Sequence, residues 1–417
     1  MKTLYLAFLM GILVILSAAC TPSAAAPTAT PHADGGLAIC GPATPNATED
    51  NCYIVTPNAT LQPSGGGLLL PMQPQVGTPL PAAPSPTFTP TLTPTLTLTP
   101  TPQAQNAAPP EITLLFTGQI VPARCVQAAA ETRGNPDYVY DAVRPILQSA
   151  DLTIGALNSS LTAYPPTTGC KRTFVLVGRP WHADAMVRAG FDVMSVATNH
   201  IKNCGLMTCG ERAFFDTLET LKTAGIAAVG AGANLNEAMQ PIVIEIEGVR
   251  FGFVSLGQIE ESAFAGESTP GIAVLTPENL RAAITALRPL CDVLIVLPHW
   301  GPEYSATPNW SQRELAKIAV EAGADLVVGN HTHVVQGMQQ IDGVWVFYGL
   351  GNFVFDQDWS RETMQSVMLR VVYDGANLRE YELIPVVSSG EGELFYPDES
   401  EKSQILARID AASQGLR

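Results

Sequence analysis

Residues able to do chemistry are concentrated in short polar segments of this 417-residue chain, each directly after an apolar run. Four of the six histidines stand there: His200, His299, His331 and His333, with Asn199 directly before the first. Imidazole nitrogens suit Zn, Mn, Fe or Co far better than Ca, and histidine also transfers protons near neutral pH. A lone histidine is more often structural, whereas four in such segments favour a metal-binding or catalytic cluster.

The elements that must position these residues alternate along the chain. Apolar runs predict strands at 112–116, 151–157, 192–197, 226–229, 242–246, 251–256, 292–297, 325–328 and 344–348. Helical spacing predicts helices at 141–149, 182–189, 211–224, 277–287, 311–322 and 399–412. The alternating runs 367–373 and 379–387, joined by Asp374-Gly375, predict a hairpin. Strands interleaved with helices predict an α/β domain with a mixed sheet or two packed sheets, whose strand-end loops collect ligands.

Five phrases of the sequence resemble a known family: GFDVMSVATNH, GIAAVGAGANLNEA, LPHWGPEYSATP, AGADLVVGNHTHVVQG and FYGLGNFVFD. They look like the CapA family of capsule and poly-γ-glutamate synthesis proteins, which is similar to calcineurin-like metallophosphoesterases. The matching phrases cover most of residues 111–357 in the expected order. The resemblance implies a metallophosphoesterase-like α/β/β/α sandwich with mixed sheets over residues 111–390, followed by a C-terminal helical extension at 391–417.

The resemblance also implies roles for the polar segments. Asn199, His299, His331 and His333 would be metal ligands, and His200 would be the catalytic residue that protonates a leaving oxygen or stabilises charge there. A metal-bound hydroxide would then attack phosphorus or a carbonyl carbon. Two aromatic residues beside His299, Trp300 and Tyr304, would either line the site or pack in the core.

Three positions depart from the family pattern, which has carboxylates where this chain has Gln119, Asn158 and Asn203. A pair of divalent ions needs anionic ligands to balance its charge, and amides offer only neutral carbonyl oxygens. We therefore expect no tightly held pair of ions unless Glu303 or Asp356 moves in. Asn199, His299, His331 and His333 could still hold one divalent ion (Mn, Zn or Fe), which we expect to be weakly held or absent. The three amides are predicted to be degraded metal positions.

Two functions remain open from the sequence. One is a surface-anchored, metal-dependent hydrolase or transferase acting on a capsule or poly-γ-glutamate-type envelope polymer or on its attachment. The other is a non-catalytic protein that binds the polymer or assembles a polymer-synthesis complex. The net charge of −16 and the lack of a Lys/Arg cluster exclude nucleic acid as a partner. The patch Lys171, Arg172 and Arg179 either offsets this acidity toward a polyanionic polymer or is a solvated loop.

The first 110 residues predict an extracytoplasmic location. Residues 1–19 have the charged, apolar and small-residue order of a signal peptide, and Cys20 follows as in bacterial lipoproteins, with Ser17 where leucine is usual. The alternatives are an ordinary cleaved signal or an uncleaved anchor. Residues 20–110, rich in Pro, Thr and Ala, predict a disordered linker. We expect a domain attached to the cell membrane through a lipid on Cys20.

The cysteines fit an oxidising compartment, where disulfides persist. Spacing suggests the bridges Cys40–Cys52, Cys204–Cys209 and Cys125–Cys170, and it leaves Cys291 unpaired, although connectivity cannot be deduced from sequence. The rival interpretation of Cys204 and Cys209 is metal ligation, but no second pair has zinc-ligand spacing.

Overall fold

The computed structural model describes residues 108–164, 169–202 and 211–416 in full, and residues 37–40 and 52–55 by their backbone. The predicted signal peptide, Cys20 and most of the predicted linker lie outside these ranges, as do Asn203, Cys204 and Cys209. The chain divides into two compact units, Met1–Leu98 and Thr99–Arg417. In the first unit, β1 (Leu37–Cys40) pairs with β2 (Cys52–Val55) in an antiparallel register.

The second unit contains the elements that build the site. Its strands are β3 (Glu111–Ile120), β4 (Leu152–Leu157), β5 (Ser160–Leu161), β6 (Val177–Gly178), β7 (Val193–Ser195), β8 (Ala227–Val229), β9 (Ala231–Gly232), β10 (Ile242–Ile246), β11 (Val249–Gly257), β12 (Gly271–Ile272), β13 (Val293–His299), β14 (Leu326–Val328), β15 (Met338–Ile341), β16 (Val344–Phe347), β17 (Asn352–Val354), β18 (Gln365–Asp374), β19 (Asn377–Ser388) and β20 (Leu394–Phe395). Its helices are α1 (Cys125–Arg133), α2 (Arg144–Leu147), α3 (Trp181–Ala189), α4 (Arg212–Ala224), α5 (Leu235–Ala238), α6 (Pro277–Leu287), α7 (Trp310–Ala322) and α8 (Glu399–Gln414).

Two mixed sheets form the centre of this unit. One has the strand order β20-β19-β18-β3-β4-β7-β8, with β17 paired to β3, and the other has the order β10-β11-β13-β14-β16-β15. In the first sheet β3, β4, β7 and β8 run parallel, and in the second β11, β13, β14 and β16 do. The carboxyl ends of each parallel set therefore lie along one edge of its sheet.

Three apolar clusters show how the layers stack, because side chains alternate between the two faces of a strand. On β13, Ile295 and Leu297 pack in a cluster with residues of the other sheet, while Leu294 and Val296 pack against α6 and α7. On β3, Leu115 instead packs in the cluster that includes α1, α3 and α4. The result is four layers, helix, sheet, sheet and helix, which confirms the predicted α/β/β/α sandwich with mixed sheets.

Local signals set several of the predicted boundaries. The Thr276 side chain accepts a hydrogen bond from the Asn279 backbone at the start of α6, as expected for an N-cap. Gly323 ends α7 in a left-handed conformation at φ 110°. The predicted hairpin joins β18 to β19, and α8 buries Ile405 and Ile409 in the cluster between the sheets. Within the described residues, none of the helices is both long and apolar enough to cross a membrane.

The described cysteines agree with the expected pairing. Cys125 and Cys170 form a disulfide, and Cys291 is free and buried. The backbones of Cys40 and Cys52 face each other in the β1–β2 register, but their side chains lie outside the described residues, so that bridge stays a prediction. The Cys204–Cys209 bridge also stays a prediction.

Candidate functional site at the strand ends

The polar segments of both sheets meet at one buried place. Gln119 lies near the end of β3, while His299 is the last residue of β13. Asn158 and Asn199 follow β4 and β7, and His333 follows β14. Contacts between the sheets join them: the Gln119 Nε2 atom lies 3.1 Å from His333 Nδ1, and Asn199 Oδ1 lies 2.9 Å from His299 Nε2. The predicted clustering of the strand-end residues is thus observed, whereas their metal-binding roles stay predictions.

One half of the site, here called the donor side, consists of Asn199, His299 and His331. His299 Nε2 lies 2.9 Å from Asn199 Oδ1 and 3.1 Å from His331 Nδ1. The two imidazole rings meet edge to face, with centroids 4.7 Å apart. Atoms of Asn199 and His331 therefore both lie against His299 Nε2, so that three potential ligand atoms are close together.

The other half, here called the amide side, consists of Gln119, Asn158, His333 and Asn352. Asn158 Nδ2 donates to Gln119 Oε1 over 2.8 Å, and Asn352 Oδ1 lies 2.9 Å from His333 Nδ1. Asn158 Oδ1 accepts from the backbone N–H of His200. The amides Gln119 and Asn158 are thus bound to each other and to their surroundings.

The backbone of the 329–333 loop aims both of its histidines into the site. His331 and His333 have φ values of 100° and 60°, a region that non-glycine residues rarely occupy. Their ring centroids are nonetheless only 5.9 Å apart. Two residues with positive φ therefore present both imidazoles to the site. Backbone strain of this kind persists where surrounding structure holds it, often at functional sites.

Burial decides the charge of the site. It lowers the pKa of His200 to about 4 and that of His331 to about 3, and it holds the pKa of His299 well below its usual value. The hydrogen bond with His333 lowers the pKa of Glu303 to about 2. Near neutral pH these three imidazoles are therefore uncharged and Glu303 is an anion.

Further residues close the site from the outside. Glu303 Oε1 lies 3.5 Å from His333 Nε2, and the exposed Tyr304 ring stacks on the His333 ring. Trp300 instead packs in the core against Tyr348 and donates from Nε1 to its carbonyl oxygen. Asp356 does not turn into the site but forms a buried ion pair with Arg124. Trp300 and Tyr304 were each expected either to line the site or to pack in the core. Trp300 packs in the core, and Tyr304 lies at the mouth of the site.

The chemistry of the donor atoms decides which metal arrangement the residues fit. A pair of divalent ions does not fit, because Gln119, Asn158 and Asn352 carry no charge and Glu303, beside His333, supplies one negative charge against four positive ones. The donor side fits one borderline ion such as Zn²⁺, which accepts imidazole nitrogens and an amide oxygen. His299 Nδ1, however, is buried without a hydrogen-bond partner, whereas a metal-bound imidazole usually donates from its second nitrogen. In the described part of the chain, no three His, Cys, Asp or Glu side chains are arranged to hold a metal ion.

Two residues of the site are missing from the sequence-based set. Asn352 bridges His333 and Gln119, and its Nδ2 donates to Gln357 Oε1. Asn352 lies shortly after β16, as the other polar residues of the site lie after their strands, and this position could have marked it in the sequence. Arg124, at φ 51°, holds Asp356 through its Nε atom, 3.1 Å from both carboxylate oxygens. Nothing in the local sequence marks Arg124, because its partner lies 232 positions away along the chain.

Comparison with known families and sequences gives a consistent picture. The model of the family "Bacterial capsule synthesis protein PGA_cap" matches residues 113–357, more than half of the chain. The chain is 29% identical over 288 residues to the PGA biosynthesis protein CapA of Bacillus subtilis, covering 69% of this chain and 74% of that protein. It is 31% identical over 265 residues to the capsule biosynthesis protein CapA of Bacillus anthracis, covering 60% and 61%.

Solved structures with similar folds include a phosphatase from Mycoplasma pneumoniae, at 13% identity and a TM-score of 0.44, covering 67% of this chain and 94% of that one. They also include the NAD nucleotidase of Haemophilus influenzae, at 12% identity and a TM-score of 0.42, covering 73% and 56%.

Proposed function

This chain belongs to the bacterial capsule synthesis protein family PGA_cap, and from that premise we propose that it binds a poly-γ-glutamate-type envelope polymer during synthesis or attachment, without two-metal hydrolysis. The polymer class comes from the family and from the CapA relatives, whose names place them in capsule and PGA biosynthesis. From the side chains of the site we infer that two-metal hydrolysis does not take place.

The observation that carries this proposal is the hydrogen bond between the two amides. Asn158 Nδ2 donates to Gln119 Oε1, and Gln119 directs its own amino group toward His333 Nδ1. An amino group is a hydrogen-bond donor and repels a cation, so this arrangement satisfies the amide side without a metal. Two divalent ions would bring four positive charges to a half-site that has no carboxylate.

The mouth of the same site is suited to polymer binding. The buried imidazoles and carboxamides are bonded to one another, so a γ-linked glutamate chain would bind at the mouth of the site, where the Tyr304 ring is exposed. An aromatic face there can pack against the planar amides of the chain. Buried amides that satisfy each other favour binding at this mouth over two-metal hydrolysis.

The proposal also places the domain outside the cytoplasm, attached to the membrane through a lipid on Cys20. The signal-like order of residues 1–19 supports this location. The disulfide between Cys125 and Cys170 supports it independently, since such bonds persist mainly in oxidising compartments.

A second candidate, a one-metal hydrolase or transferase, is favoured by one observation, the convergence of the three donor-side atoms. Asn199, His299 and His331 would hold the ion, which would supply polarisation of a phosphoryl or carbonyl oxygen. His200 would then be the proton donor. Its pKa of about 4 weakens that role, because an effective general acid has a pKa near the working pH.

Metal content and polymer binding, measured on the full chain, separate the two candidates. We expect poly-γ-glutamate to bind in calorimetry with equal affinity before and after EDTA treatment, and Mn²⁺ or Zn²⁺ to stay below one equivalent after gel filtration. Hydrolysis of bis-p-nitrophenyl phosphate should not exceed that of the His331→Ala control. One retained equivalent with activity that His331→Ala abolishes would establish the second candidate. Failure of the polymer to bind would overturn the first.

A further inference from the structure

Three partly exposed side chains extend outward from the histidine cluster in a continuous row. The Tyr304 ring stacks on His333 with centroids 5.6 Å apart and planes at 23°. The Trp359 ring meets Tyr304 edge to face at 6.1 Å, and the Arg172 guanidinium lies over Trp359 at 5.6 Å from its centroid. Tyr304 is 48% exposed, Trp359 47%, and the Arg172 side chain 54%. The row therefore joins solvent to the buried site.

Separate parts of the chain hold this row in place. Tyr304 is held at φ 61°, with its backbone N–H donating to the Thr332 carbonyl. The segment that carries Arg172 is tied to α1 by the Cys125–Cys170 disulfide. Its Thr173 carbonyl also accepts from Arg124 Nη1 over 3.0 Å. The two ends of the row, Tyr304 and the segment of Arg172, are therefore preorganised, which lowers the entropy lost on binding.

The chemistry of the row selects its ligand. A guanidinium pairs with a carboxylate through parallel hydrogen bonds, and aromatic faces pack against planar, partly apolar groups such as amides. Cationic groups are scarce in a chain of net charge −16. Of the basic patch in the sequence, Arg179 turns away to the Ala163 carbonyl and Glu131. Arg172 is the member of that patch that reaches the row.

The charges also orient the ligand. Glu303 lies at the inner end of the row beside His333, where it would repel a carboxylate. Arg172 lies at the outer end, and its present partner Asp358 is an exposed carboxylate in an ion pair of the kind that contributes little to stability. A ligand carboxylate can therefore share or replace Asp358 at Arg172, while the adjoining amide lies over Trp359 and Tyr304.

We propose that Arg172, Trp359 and Tyr304 form an entrance subsite that binds one carboxylate and the adjoining amide of a γ-linked glutamate chain. This inference rests on the proposed function, because it takes the polymer class from it. The subsite would lead the chain to the histidine cluster and select against neutral polymers, which offer Arg172 no carboxylate.

Calorimetric titration of the full chain with a γ-linked glutamate hexamer tests the subsite. Arg172→Ala should weaken binding roughly tenfold, as expected for loss of a charge-assisted pair, and Arg172→Lys should restore part of the affinity. Trp359→Leu should weaken binding about fivefold through loss of aromatic packing. The matched controls are Arg281→Ala, a 49% exposed arginine that is also paired with a carboxylate, that of Glu321, and Trp310→Leu, a 69% exposed tryptophan. Both should stay within about twofold of the wild type.

The outcomes separate the subsite from the proposed function. Equal affinity in wild type, Arg172→Ala and Trp359→Leu would overturn the subsite and leave polymer binding intact. An α-linked glutamate hexamer is the second probe. If it alone binds, and does so through Arg172 and Trp359, the subsite stands as an acidic-peptide site and the proposed function fails. If neither hexamer binds the wild type, both are overturned.

Discussion

The donor side and the amide side each contain histidines of one buried cluster, yet they differ in the ligands that they can hold. On the donor side, Asn199 Oδ1 and His331 Nδ1 both lie against His299 Nε2. On the amide side, Asn158 donates to Gln119, and the other amide atoms of the two residues bond to His333 and to the His200 backbone. The difference teaches that the amides do more than lack charge. Their hydrogen bond forms a pair that needs no cation.

The largest effect is expected from the ion pair that supports the amide side from behind. Asp356 follows β17, the strand that carries Asn352, and it is paired with Arg124 with both side chains buried. Arg124→Ala should lower the free energy of unfolding by about 3–5 kcal/mol, because it leaves a buried carboxylate without its partner. Urea denaturation measures this change.

The matched control for that variant is Arg172→Ala, which breaks an exposed pair with Asp358. This loss should stay below about 1 kcal/mol, since solvent screens the exposed pair. Equal losses of unfolding free energy in the two variants would show that burial of the Arg124–Asp356 pair adds nothing to its contribution to stability.

The next largest effect is a loss of stability in acid that comes from the donor side and from His200. Burial lowers the folded pKa of His200 from 6.5 to about 4. The unfolded chain therefore takes up protons first as the pH falls. The stability is fully present above pH 6.5 and is lost progressively toward pH 4, by roughly 3 kcal/mol for His200 alone. His331, with a pKa of about 3, should extend the loss further.

Urea denaturation at a series of pH values checks this dependence. His200→Gln should reduce the slope of unfolding free energy against pH between pH 6.5 and 4. The comparison variant is His182→Gln, since His182 lies outside the site. This histidine is buried against Gln127, and its pKa is likewise lowered to about 3. The variant therefore measures how much of the pH dependence a buried histidine outside the cluster contributes. A free energy of unfolding that does not change between pH 6.5 and 4 in the wild type would contradict the uncharged state of the cluster.

A smaller effect should follow from restoring the carboxylates on the amide side. Gln119→Asp with Asn158→Glu places two anions where a 2.8 Å hydrogen bond now joins the side chains. The double variant should be less stable than the wild type without metal, and it should bind Mn²⁺ or Zn²⁺ at least tenfold more tightly, or about 1.4 kcal/mol. Calorimetric titration of both proteins measures the affinities. Identical affinities would show that the two positions do not act on the donor side.

Much of the fold could be predicted from local patterns. The strands and helices with strong periodicity, such as β13 and α7, lie within a residue or two of their predicted bounds. The helix α1 was missed, since its run of small residues and its cysteine carry little helical periodicity. The strand β17 was missed as well, because its three residues pair with β3, and that neighbour is far away in the chain.

What the sequence determined by itself is the set of chemical groups: four strand-end histidines, and the amides Gln119 and Asn158 at the ends of two further strands. Periodicity and strand-end position are properties of neighbouring residues, so they can be read along the chain. The tertiary structure decided which of these groups touch. Only the packing of two sheets brings Gln119 to His333 across 214 positions, and Arg124 to Asp356 across 232. It alone joined the two amides in one hydrogen-bonded pair, because contact and burial arise from the whole fold.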